Sequence, residues 1–279
     1  MPARYAICNE LFEKRPFDEA FRYARECGYT GVELAPFTMN TDARAIPAEQ
    51  RSLVRRQIAE AGLECVGLHW LLAFTEGGYY LTSADAEVQR RTAAYLAELA
   101  RLCADLDGRI LVLGSPKQRN LLPGMTHEEA MTHAASVLRL AMPAYEAAGV
   151  TLAVEPLGPV EGDFLNTADL GVELMQRVDS PACRLHLDVK AMSTEQKPIP
   201  QIIRECAAHT VHFHANDPNL LGPGMGEVDF VPIFQALKDI GYDGWISVEV
   251  FDYSPGAEAI CEQSLAYMRD VAARTGLDQ

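Results

Sequence analysis

Glu155, Asp188, His214 and Glu249 carry the chemistry that stands out in this sequence. Each closes a short, mostly apolar run: VTLAVE (150–155), CRLHLD (183–188), TVHFH (210–214) and GWISVE (244–249). A carboxylate at the end of a strand buried on both faces is costly to desolvate unless a cation, a metal or a hydrogen-bond network compensates. Two glutamates, an aspartate and a histidine form a hard, oxygen-rich set without a thiolate. Such a set suits one divalent cation, Mn²⁺ as the first expectation with Mg²⁺ or Co²⁺ as alternatives, and differs from the Cys-bearing structural zinc sites.

These four positions are 33, 26 and 35 residues apart, each gap about the length of one βα unit. Their tips converge if the strands are parallel and closed or fanned, and a closed parallel barrel puts every strand end on one face. Eight repeats of apolar run and amphipathic segment can be marked along the chain. Strands are expected at 4–8, 31–35, 63–68, 109–113, 150–155, 183–188, 209–214 and 244–249. Helices are expected at 16–27, 47–61, 84–106, 126–148, 167–178, 200–208, 230–240 and 257–274. Thr126 with Glu129 three residues later, Thr167 and Asp229 read as helix starts. Gly28, Gly62, Gly108, Gly149 and Gly241 read as helix stops. No Pro/Gly/Ser-rich linker breaks the alternation, so the expectation is an α/β chain forming one (β/α)₈ TIM barrel over residues 1–279.

Composition narrows the function. The chain has 279 residues, 48% of them hydrophobic, and a formal net charge of −15. That charge opposes binding to nucleic acid, which needs a basic footprint to displace counterions. Seven cysteines stand singly with no CxxC pair, which argues against a disulfide framework and for a reducing compartment. No run reaches the ~18 apolar residues of a membrane span, and no apolar leader follows Met1, so a cytoplasmic protein with no membrane partner is expected. Association into a homo-oligomer is left open.

The first half of the chain contributes further strand-end groups that a barrel would turn toward the same mouth: Asn9, Glu10, Glu33, His69 with Trp70, and Ser115. Shared location favours His69, Trp70 and Glu33 as substrate-binding residues over isolated structural ones. In LGSPKQRN (113–120), Lys117 and Arg119 read equally as solvated loop charges or as an anion contact. His186 and His212 each precede a ligand by two residues and so share its strand face. His212 reads as substrate-binding or supporting, and His186, a layer deeper, as a packed histidine.

EPLGPVE (155–161), HLD (186–188), HFHAND (212–217), GPGMGEVDF (222–230) and SVEVF (247–251) together resemble the xylose-isomerase-like TIM barrel superfamily of sugar phosphate isomerases and epimerases. The style is that of the ketose 3-epimerases of the D-tagatose and D-psicose type. The resemblance implies a small-molecule sugar substrate and a cation that holds a ketose carbonyl oxygen and its neighbouring hydroxyl, stabilising an enediolate. Glu155 and Glu249, flanking the sugar, would then act as an acid/base pair in addition to binding metal. Glu161 matches the glutamate that binds the sugar's far hydroxyls in those relatives, and GPGMG (222–226) is expected to order over the sugar as a lid. The relatives' histidine three residues after the Asp ligand and arginine six after the His ligand are Ala191 and Leu220 here. With Lys190 nearby, a related anionic or keto-glycoside substrate becomes an alternative, and with it a lyase or deglycosidase reaction. A sugar-binding protein without catalysis is the remaining alternative. Endonuclease IV, a fold relative acting on DNA, is disfavoured by the charge.

Overall fold

Eight parallel strands close into a barrel in chain order in the computed structural model, which describes residues 3–278. They are β1 (Arg4–Cys8), β2 (Gly31–Leu34), β3 (Glu64–Leu68), β4 (Ile110–Leu113), β5 (Thr151–Val154), β6 (Cys183–Asp188), β7 (Thr210–Ala215) and β8 (Trp245–Val248). Ile7 facing Val248 closes the ring between the first and last strands. Helices α1 (Phe17–Cys27), α2 (Ala48–Glu60), α3 (Ala86–Asp105), α4 (His127–Ala148) and α5 (Ala168–Val178) return the chain between the first six strands. After β6 come α6 (Val189–Met192) and α7 (Ile199–Glu205), followed by α8 (Phe230–Asp239) and α9 (Ala257–Thr275). The main apolar core lies between the sheet and this helical layer, and Ala6, Val66 and Trp245 form a separate small cluster.

Local chemistry explains the boundaries. Thr126 and Glu129 make a reciprocal capping box at the start of α4, and Thr167 and Asp229 cap α5 and α8 with their side chains, satisfying amides that the first turn leaves free. Gly28 and Gly149 take left-handed φ values of 109° and 66° at helix ends. Gly108 does not. There Asp107 takes the left-handed conformation, and Gly108 serves a close approach, since a Cβ would lie 2.8 Å from Cys103 Sγ. A tighter approach occurs at Gly67 in β3, where an added Cβ would sit 1.7 Å from the Ile110 carbonyl oxygen.

Pattern reading does not anticipate α6. Asp188 ends β6 and immediately caps this one-turn helix by accepting a hydrogen bond from Ala191 N at 2.8 Å. The GPGMG segment also departs from expectation. It packs against α9, where Gly224 meets Tyr267 and Gly222 meets Ser264, and it contributes nothing to the lining of the barrel-mouth cavity. Among the described residues no helix is long and apolar enough to cross a membrane. The seven cysteines are unpaired by disulfides.

Candidate active site

The carboxyl ends of β5 to β8 bring four candidate ligands to one place. Glu155 follows β5 directly, and its amide donates to the Leu113 carbonyl at 3.2 Å. Glu155, His186, Asp188 and His214, all buried, each place a ligand atom within 4.8 Å of the others. Glu249 joins through His214, its Oε2 lying 3.0 Å from His214 Nδ1. Its Oε1 accepts the indole N–H of Trp70 at 2.7 Å. Asp188 is aimed by two donors, the Ala191 amide and Asn216 Nδ2 at 2.6 Å. The Glu155 carboxylate rests against Gly114, where a Cβ would come within 2.1 Å of Oε2.

This cluster has the electrostatics of a cation site. Burial, then the nearby Glu249 and Asp188 charges, push the Glu155 carboxyl well above its usual range. Burial pushes Asp188 up to about 6, against the opposing pull of Lys190. For Glu249 burial acts in the same direction, but His214, His69 and the Trp70 hydrogen bond together outweigh it and the net shift is downward. Both ring nitrogens of buried His186 lack a hydrogen-bond partner among the described residues. Its Nε2 is 3.8 Å from Glu155 Oε1. Crowded acids beside an orphaned imidazole are the donor set that a hard divalent cation satisfies. His186 therefore belongs to the cluster and is not a quietly packed side chain. The clue in the sequence was its two-residue offset from Asp188.

A cavity of about 550 Å³ opens above this cluster, with Glu155 and Glu249 in its wall. His69, Trp70, Lys117, Glu161 and Phe251 also line it. Lys190 forms an ion pair with Glu161 at 2.7 Å and lies 4.6 Å over the Phe251 ring. The outer wall is aromatic. Trp70 stacks on Phe74, which is 60% exposed, and Phe37 meets Phe74 edge-on at 4.6 Å. Trp70 and Phe74 both hold left-handed backbone conformations, with φ of 53° and 59°. Such conformations cost of order 1–3 kcal/mol each and cluster at functional sites.

Three expected substrate contacts, Glu33, His212 and Lys190, are not among the lining residues, Lys190 standing behind Glu161 and Phe251. Glu33 and His212 are fully buried and pair with each other at 2.7 Å beneath the cavity floor. Arg119 is likewise absent from the lining and is not a solvated loop charge. It is buried and donates from Nη1 to the Glu155 and Leu113 carbonyls at 2.6 and 3.3 Å, bracing the ends of β5 and β4. Burial lowers its pKa to about 10. Sequence reasoning named Glu10 without a partner; the structure joins it to His69 Nε2 at 2.7 Å.

A family model described as xylose isomerase-like TIM barrel matches residues 21–271. A probable ketose 3-epimerase of Synechocystis sp. is 25% identical over 266 residues, covering 89% of this chain and 88% of that protein. Among solved structures, D-psicose 3-epimerase of Clostridium cellulolyticum H10 with D-tagatose superposes with a TM-score of 0.83 at 21% identity, covering 96% of this chain and 99% of that one. The 3-keto-D-glucoside 4-epimerase of E. coli gives a TM-score of 0.83 at 19% identity, with coverage of 96% and 99%. These two structural likenesses bear on the fold alone.

Proposed function

The chain belongs to the xylose isomerase-like TIM barrel family, and from that premise we propose that it is a divalent-cation-dependent sugar isomerase or epimerase. The observation that carries this reading is the placement of Glu155 and Glu249. Both face one cavity from strand ends that stand apart in the ring, directly above a buried set of cation-binding groups. Glu155, Asp188, His214 and Glu249 would hold the cation, with His186 beside them. When bound, it would supply Lewis acidity to the substrate's carbonyl oxygen and template the neighbouring hydroxyl.

The remaining work falls to the chain's own side chains. One of the two glutamates takes a proton from the carbon next to the carbonyl, and the other returns a proton from the opposite side. Trp70 restrains Glu249 through its 2.7 Å hydrogen bond, so that carboxylate does not swing freely. Glu161, clamped by Lys190, and Lys117 present polar groups to the hydroxyls remote from the reacting carbon. The aromatic wall covers the apolar face of the sugar and helps exclude water. His69 also lines the cavity and is the next candidate base.

A second reading is supported by the aromatic rim. A ketohexose displaces roughly six waters, about 180 Å³, whereas the cavity measures about 550 Å³ and ends at exposed Phe74. A keto-glycoside would use that extra length, and loss of its aglycone in place of reprotonation would make the reaction an elimination. Incubating Mn²⁺-loaded protein in deuterated water with ketoses and 3-keto-glycosides separates the two. Isomer formation with deuterium at the reacting carbon supports the first reading, and release of the aglycone supports the second. Failure to exchange a proton or convert any member of the panel would overturn both.

A further inference from the structure

Glu33 hydrogen-bonds two histidines at once beneath the cavity. Its Oε2 lies 2.7 Å from His212 Nε2, its Oε1 3.2 Å from His214 Nε2, and all three side chains are fully buried. An ionised carboxylate only accepts hydrogen bonds, so each Nε2 in these contacts carries a proton. For a neutral His214 this leaves Nδ1 as the ring's one lone pair. That lone pair faces Glu249 Oε2 at 3.0 Å, and the His214 ring belongs to the cluster with Glu155, His186 and Asp188. Two acceptors at that distance repel unless a positive charge lies with them, a second proton on Nδ1 in the metal-free protein and the cation in the loaded one. The second nitrogen of a metal-binding histidine is commonly held by a carboxylate, which sets the tautomer and the ring orientation.

The geometry points to Glu33 as a positioning residue that fixes the Nε2–H tautomer of His214 and so delivers Nδ1 to the cation. This rests on the cation-dependent reading above. Glu33 does so on both sides of the ring pair. It also holds His212, whose ring packs edge-on against His214 at 5.1 Å. It replaces the substrate-contact role expected from its strand-end position, and the family resemblance assigned it no such part.

Glu33→Gln tests this sharply. An amide is uncharged and puts a donating NH₂ in place of one oxygen, so both imidazole N–H groups would have to share the single oxygen that remains. Titrating purified protein with Mn²⁺ by calorimetry should show one site in the wild type and a dissociation constant about 10–100-fold weaker in Glu33→Gln. Glu10→Gln is the control. It removes the charge from the neighbouring Glu10–His69 pair of 2.7 Å, in which His214 takes no part, and should change the constant less than about threefold.

A merely structural Glu33 would lower the thermal stability of metal-free Glu33→Gln and leave Mn²⁺ affinity of the folded protein unmoved. Affinity of folded Glu33→Gln within about threefold of wild type therefore overturns the inference while leaving the cation reading intact. No stoichiometric Mn²⁺ binding by the wild type overturns both. If Glu33→Gln does not fold, the tautomer itself decides. In wild-type protein loaded with diamagnetic Mg²⁺, histidine ¹⁵N spectra should show His214 protonated at Nε2, and protonation at Nδ1 overturns the inference.

Discussion

Trp70 donates its indole N–H to the same carboxylate, Glu249, whose other oxygen faces His214 Nδ1. One oxygen is thus held from the cavity wall and the other from the ligand set. Trp70→Phe keeps the ring in the aromatic wall and removes the donor. Hydrogen bonds to charged groups contribute about 1.5–3 kcal/mol, so kcat on the best substrate of the keto-sugar panel should fall roughly tenfold or more. KM should change little. A kcat equal to wild type would show that Glu249 needs no such restraint.

The acid/base roles of Glu155 and Glu249 can be separated from metal holding. Glu155→Gln and Glu249→Gln each keep one carbonyl oxygen for the cation, so a purely metal-holding residue should be rescued by excess Mn²⁺. If the residue also moves a proton, turnover should stay down by about 10²–10⁴-fold at saturating metal. Exchange of the substrate's reacting C–H in deuterated water gives a second readout, because loss of the reprotonating group alone leaves some exchange. Near-normal turnover of both variants would pass the base role to His69.

Asp188 has both carboxylate oxygens held, one by Ala191 N and the other by Asn216 Nδ2. Asp188→Asn keeps the shape but removes the charge, and its new NH₂ faces a donor in Asn216. Mn²⁺ affinity should fall severely, and the stabilisation that saturating Mn²⁺ gives the wild type should vanish. At a hundred times the dissociation constant that stabilisation is about 2.7 kcal/mol, measurable as a shift in Tm. An equal Mn²⁺-induced shift in the variant would remove Asp188 from the ligand set.

Gly114 offers a test from outside the ligand set. An alanine Cβ there would reach within 2.1 Å of Glu155 Oε2, so the carboxylate has to move while the barrel need not. Gly114→Ala should fold with a Tm near wild type yet bind Mn²⁺ at least about tenfold more weakly. Unchanged affinity would mean that Glu155 can leave its observed position at no cost.

The strands were legible because each is an apolar run ended by a polar group, and the ends of β5 to β8 carry the candidate ligands where the runs stop. Depth was not legible. Opposite Glu33 and His186 the ladder shifts register, because β3 carries an extra Val66 and β7 an extra Val211. A bulge changes the level at which later side chains enter a barrel without leaving a mark in the residue pattern. Glu33 thus looked like a mouth residue and His186 like packing, when the first lies under the floor and the second joins the cluster. Arg119 misled for another reason. Its partners are main-chain carbonyls, which every sequence possesses and no motif reveals. The glycines of GPGMG suggested freedom to close, whereas their small size admits Ser264 and Tyr267 of α9.

The Arg119 brace bears on how the pocket could be remodelled. Because its guanidinium grips the carbonyls of Leu113 and Glu155, the grip is indifferent to which side chains stand at those two positions. Pro116, Lys117 and Gln118, which line the cavity on the same loop, sit between two anchored points and make no part of that grip. Randomising those three positions while keeping Arg119 should therefore yield a library rich in folded proteins with altered substrate preference. The same diversity built on an Arg119→Ala background should lose the alignment of β4 and β5 together with the library's yield.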